Sequence, residues 1–149
     1  MWKPNVTVAA VIEREGRFLL VEEETADGIR VNQPAGHLDH GESLVDAVAR
    51  ETLEETAHRF TPTGLLGVYM VGGNPGVTYL RFAFVGELGE RVAGRALDSG
   101  ILRTLWLTLP ELKARSDHRS PLVVRCIDDY RAGQRFPLEA LYAHPSALT

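Results

Sequence analysis

Between Ser43 and Ala57 the chain offers good helix formers with neither Pro nor Gly, behind a serine suited to capping the first turn. The stretch SLVDAVARETLEETA therefore predicts a helix from Ser43 to Ala57, and its wheel constrains everything around it. With Leu44 at zero and about 100° per residue, Ala47 falls near 300°, Val48 near 40° and Thr52 near 80°, an arc that must face a core. On the same wheel Glu51 lies near about 340°, Glu55 near about 20° and Glu54 near about 280°, whereas Asp46 and Arg50 lie on the far side. The apolar stripe turns acidic after two turns.

Burying one carboxylate is costly, and three together repel and neutralise one another unless a strong positive charge sits among them. At a helix C-terminus they also oppose the macrodipole, by about 0.3 to 1 kcal/mol each when exposed. A solvated acidic helix end is the plain alternative, and placement on the core side argues against it. Arg50 and Arg59 are the basic residues nearby in sequence, and clustered hard oxygen ligands suit Mg²⁺, so a divalent metal is the economical expectation.

The flanks read as strands. Val6–Glu13 and Phe18–Glu23 are rich in β-branched and large apolar residues, and Gly16 between them suggests a hairpin. IRVNQ is a third extended piece, and Pro34 then leads into a loop through Ala35, Gly36 and Gly41. After the helix, Thr61–Met70 and Val77–Glu87 predict a second hairpin about the GGNPG turn, with the latter expected as the longest strand. LRTLWLT is another strand, and ELKAR and LVVRCIDDYR are two helices before a Pro-containing tail from about residue 134.

No repeat or linker divides the 149 residues, so a single domain spanning 1–149 is expected. The apolar fraction of 44% and the charged fraction of 24% are those of a globular protein. A net charge of -4 provides no global attraction to nucleic acid or to an anionic membrane, so a phosphate-bearing ligand needs a local device. Cys126 is the only cysteine, which excludes an internal disulfide and reads as a small buried apolar side chain in a reducing compartment. The apolar run Val6–Ile12 is too short to cross a bilayer, and a cytoplasmic monomer or small homo-oligomer is expected.

Gly36, Glu42, Arg50, Glu51, Glu54 and Glu55 together resemble the Nudix box, Gx5Ex7REUxEExGU with U a bulky aliphatic, across 36–58. Thr52, Ala57 and His58 depart from it at the first aliphatic, the glycine and the last aliphatic, while every charged position is kept. The resemblance implies an α/β/α sandwich with a mixed sheet, and an enzyme that hydrolyses phosphoanhydrides with Mg²⁺ or Mn²⁺. It implies Glu51, Glu54 and Glu55 as metal ligands with the Gly36 carbonyl, Glu51 or Glu54 as general base, and Arg50 and Glu42 as the groups that orient them. Further segments, MWKPNVTVAAVI, NQPAGHL, HRSPLV and GQRFPLE, are similar to a bacterial branch of that family. Val31 departs from that branch, which has tryptophan there, and so removes a candidate for aromatic stacking.

That likeness implies a small-molecule substrate: nucleoside tri- or diphosphates, or hydroxymethylpyrimidine or thiamine diphosphate, losing the terminal phosphate to metal-activated water. Two alternatives are a housecleaning pyrophosphohydrolase that releases pyrophosphate and a non-catalytic nucleotide sensor. Asp98, in LDSG, is a possible extra carboxylate from outside the box, or a plain turn residue. Lys3, Arg81, Arg119 and Arg135 are candidates for phosphate contacts. His37 and His40 are assigned no chemistry, and Trp106 reads as packing.

Overall fold

The computed structural model describes residues 1–149. Eight strands and three helices follow in the order β1 (Asn5–Ala10), β2 (Glu13–Arg14), β3 (Arg17–Thr25), β4 (Gly28–Asn32), β5 (Ala35–His37), α1 (Leu44–Thr56), β6 (His58–Gly72), β7 (Thr78–Arg91), β8 (Ile101–Leu107), α2 (Leu109–Lys113) and α3 (Leu122–Arg131).

Two four-stranded sheets result. The first is mixed, in the order β5-β1-β7-β6, with β1 parallel to β7 and antiparallel to β5. In the second, β3 pairs antiparallel with β2, β4 and β8, and Val21 faces Asn32 on one edge and Thr104 on the other.

The run expected as one strand over Val6–Glu13 is split between the sheets. β1 joins the first sheet, Val11 and Ile12 cross over, and β2 makes the tight hairpin with β3. Glu15 and Gly16 both take positive φ at that turn, 53° and 79°, which is the backbone that a two-residue hairpin with right-handed twist requires. The loop expected after Pro34 also begins as a strand, because Ala35–His37 pairs with Thr7–Ala9. β6 has 15 residues and β7 has 14, so the expected order of their lengths is reversed.

Strands covered on both sides must be apolar on both, and the burial follows that alternation. Phe18, Leu20, Val31, Ala83 and Val85 face one core, with Leu109, Leu112, Val123, Cys126 and Ile127 of α2 and α3. Val8, Ala10, Leu19, Leu65 and Phe84 face the other, under Ala47 and Val48 of α1. Each fully buried Val, Leu, Ile or Phe side chain among them contributes about 1.5 to 3 kcal/mol. The architecture is the α/β/α sandwich, with α1 on one face and α2 and α3 on the other. Val31 is buried in the first core, so it contributes packing and no ligand surface.

The segment after residue 134 is not a free tail. Leu65 and Phe136 exchange backbone hydrogen bonds of 2.9 and 2.7 Å, and Leu138 and Leu141 pack against the core under α1.

Candidate functional site

α1 starts as the sequence suggests, with the Ser43 side chain accepting the Asp46 N–H at 3.1 Å. It ends on Ala57, whose φ of 60° is left-handed and whose N–H reaches the Leu53 carbonyl. Glycine relieves strain at such a position, and here a methyl group occupies it. Thr52, one turn earlier, is fully buried and its hydroxyl has no partner.

Glu51 and Glu55 are 9% and 7% exposed, and both burials push the carboxyl groups upward from their usual range. Burial is the main cause for Glu55, which rises to about 9 although the Ala35 N–H, 3.0 Å away, favours its charged form. For Glu51 burial again dominates, partly offset by Arg50. Gly36 lies directly against Glu51, and a Cβ at position 36 would overlap that carboxylate. The glycine there is a requirement of close approach.

The carboxylates that converge are Glu51, Glu54 and Asp98, each offering an oxygen within 4.8 Å of the others. Asp98 is held by the backbone, its N–H donating to the Glu54 carbonyl at 2.9 Å. It also forms the turn its sequence suggests, since its carbonyl accepts from Ile101 at 3.1 Å. The converging set therefore differs from the helix trio expected from the wheel: Asp98 joins it, while Glu55 turns toward Ala35. Three hard, anionic oxygen donors this close fit Mg²⁺ or Mn²⁺, which would relieve their mutual repulsion.

Arg50 corrects the wheel. Its Cα lies away from the core arc, yet its guanidinium returns to the acidic groups. Nε and Nη2 hold both Glu42 oxygens, at 3.0 and 2.6 Å, and Nη1 reaches Glu51 at 2.9 Å and Glu54 at 3.2 Å. Nη2 also donates to the His37 carbonyl at 3.0 Å. A long side chain beside a folded-back loop can make these contacts, which an angular projection of Cα positions does not capture. The Arg50 hydrogen bonds hold Glu42 below the usual carboxylate range.

Beside α1 lies a cleft of about 630 Å³. Glu51, Glu55, Gly36 and His37 line one side; Asn32, Arg30, Glu23, Tyr79, Arg81 and Arg119 are among its other walls. Of the basic candidates, Arg81 and Arg119 reach this cleft, whereas Lys3 and Arg135 are not among its lining residues. Arg135 instead stacks on Tyr130 and donates to the Tyr130 and Gln134 carbonyls. Asn32, Glu23, Arg30 and Tyr79 were not singled out from sequence. The one local hint was the pair of amides, Asn32 and Gln33, next to Pro34 at the end of an otherwise apolar strand.

A carboxylate-bearing helix in an α/β/α sandwich, beside a cleft lined by both carboxylates and arginines, is the arrangement that a metal-assisted phosphoanhydride hydrolase requires. Residues 1–125 match the NUDIX domain family model, and the chain belongs to that family. It is 41% identical over 141 residues to Phosphatase NudJ of Escherichia coli strain K12, covering 95% of this chain and 92% of that protein. A NUDIX hydrolase structure from Nitrosomonas europaea is 49% identical, with a TM-score of 0.92 over 96% of this chain and 99% of that one. The MutT protein from Methanosarcina mazei Go1, at 24% identity and a TM-score of 0.73 over 90% of this chain and 99% of its own, shares the fold. The chain is thus a Nudix hydrolase and a homologue of a phosphatase. No helix is long and apolar enough to cross a membrane.

Proposed function

We propose that the chain is a Mg²⁺- or Mn²⁺-dependent phosphatase that removes the terminal phosphate of nucleoside tri- and diphosphates and of hydroxymethylpyrimidine or thiamine diphosphate. The observation that carries this reading is the convergence of the Glu51, Glu54 and Asp98 oxygens within 4.8 Å. Those three would hold the ion, with the Gly36 carbonyl as a further candidate donor. When bound, the ion would supply charge neutralisation for phosphoryl oxygens and a more acidic water.

The remaining steps belong to the protein. Arg50 holds Glu51, Glu54, Glu42 and the His37 carbonyl in one arrangement, so helix and loop move together. Glu55 fixes the Ala35 N–H and with it the strand leading to Gly36. Glu51 or Glu54 accepts the proton of the attacking water, and in-line attack at the terminal phosphorus releases orthophosphate. The whole-length likeness to a named phosphatase supports terminal attack, and the single buried cysteine supports a cytoplasmic setting.

The test is a product-resolved screen with Mg²⁺, assaying orthophosphate and pyrophosphate separately for nucleotides and for pyrimidine and thiamine diphosphates. Orthophosphate from both substrate groups is expected. Pyrophosphate alone from triphosphates would overturn the phosphatase reading, and inactivity throughout would point to a non-catalytic nucleotide binder.

A further inference from the structure

Arg81 is the one cation among the buried residues, 6% exposed, yet it lines the cleft. Its position follows from the parallel pairing of β1 and β7. Thr7 stands between His37 on β5 and Arg81 on β7, so the arginine lies two strands from the loop that begins the acidic site. Strand spacing makes that separation about 10 Å.

The guanidinium is oriented but not neutralised. Nη1 donates to the Gln33 side-chain oxygen at 2.9 Å and Nη2 to the Asn32 side-chain oxygen at 2.8 Å. Both acceptors are neutral amides, and each is itself tied down: Gln33 donates to the Val123 carbonyl at 2.7 Å and Asn32 to Glu23 at 3.4 Å. The third contact is the Cys126 sulfur at 3.9 Å. No carboxylate forms an ion pair with Arg81, whereas Arg119 on the same cleft already has Glu23 at 3.7 Å and Arg30 is turned to its neighbour's carbonyl at 2.9 Å.

A buried cation without a counter-ion is costly, and a fold keeps one where an anion arrives from outside. A planar guanidinium with two nitrogens pinned by amides is also pre-oriented to receive phosphoryl oxygens. We propose that Arg81 is the anion anchor of the cleft, binding a phosphoryl group of the substrate on the side away from the converging carboxylates, with Asn32 and Gln33 as its positioning residues. This rests on the reading of the substrate as a diphosphate or nucleotide. The acidic end and the anchor then divide the work: one end neutralises the reacting phosphoryl group, and the other fixes where the anionic chain lies.

Calorimetric titration with inorganic pyrophosphate in Mg²⁺ tests the anchor without requiring turnover, so its outcome is separable from that of the substrate screen. Arg81→Met, which keeps most of the volume, is expected to weaken binding at least tenfold, measured below the unfolding midpoint, which falls because the Gln33 and Asn32 oxygens lose their donor. Arg81→Lys, which keeps the charge, should recover part of that loss. Asn32→Asp gives Arg81 a counter-ion in place and provides a second variant should Arg81→Met fold poorly; it too should bind at least tenfold more weakly. With a hydrolysed substrate, Arg81→Met and Asn32→Asp should each raise KM by more than they lower kcat. A purely structural role for Arg81 predicts instead a pyrophosphate affinity within twofold of the parent in the folded variant. That affinity in Asn32→Asp alone would overturn the proposal.

Discussion

Two arginines have opposite surroundings: Arg50 lies behind the acidic end of the site, and Arg81 lines the cleft itself. Arg50 has more anionic partners than it can neutralise, with Glu42, Glu51 and Glu54 at hydrogen-bond distance and Asp39 at 3.4 Å. Arg81 has none, and is held by two amides deep in the wall. In the first place the surplus is negative and in the second it is positive, so each end is complete only with a ligand of the opposite sign. A metal-bound diphosphate presents both signs at once, and the unequal distribution of charge along the cleft gives it a direction.

The largest effect should come from the acidic end. Glu54→Gln removes charge from the converging set without removing apolar packing. A fall in kcat of about 10³ or more, in the range of losing a general base and a ligand together, is expected with an unchanged unfolding midpoint. Activity equal to the parent would break the comparison. Next, Arg50→Ala should weaken Mg²⁺ binding by about 10- to 100-fold, as loss of an orienting partner does, and depress activity with it. A normal Mg²⁺ dependence would show that Arg50 does not position the carboxylates.

Glu55 sharpens the comparison through pH. In the metal-free protein its folded carboxyl titrates at about 9 and the unfolded one near 4.5, so the unfolded state releases its proton first. Stability contributed by this group is therefore whole below about pH 4.5, falls as pH rises, and is fully lost above about 9. Urea unfolding in EDTA should show that decline, and Glu55→Gln, which does not titrate, should flatten it. An identical slope in parent and variant would mean that Glu55 does not stay protonated in the fold.

The smallest effects concern the helix beneath Arg50. Thr52→Val replaces a buried hydroxyl that has no partner and should stabilise by about 1 kcal/mol. Ala57→Gly relieves the left-handed backbone at the helix end and should stabilise by about 0.5 to 1 kcal/mol. Thermal unfolding measures both, and a loss of stability in either would show that the departures from the Nudix box are compensated elsewhere.

What the sequence revealed was local, and what it hid came from pairing over distance. The helix from Ser43 and its buried glutamates were legible because a cap, a wheel and fixed spacing all lie within one segment. Asp98 was suggested by its residue type, but its arrival beside Glu54, 44 residues earlier in the chain, depends on its loop folding back against the helix. The burial of Arg81 was hidden because it follows from β1 lying parallel to β7, and a tyrosine- and arginine-bearing strand gives no sign of which neighbour it takes. β5 was hidden by its own residues, since Pro34 and Gly36 read as loop formers; Gly36 is there instead to let Glu51 approach. Arg50 shows that long side chains escape an angular projection.

The most direct measurement is a crystal structure with Mn²⁺, located by its anomalous signal. A peak bounded by oxygens of Glu51, Glu54 and Asp98 is expected, with the Arg50 guanidinium still bound to Glu42. Full occupancy elsewhere, or these carboxylates turned to bulk solvent with no ion among them, would contradict the claim that the acidic face of α1 exists to hold a dication.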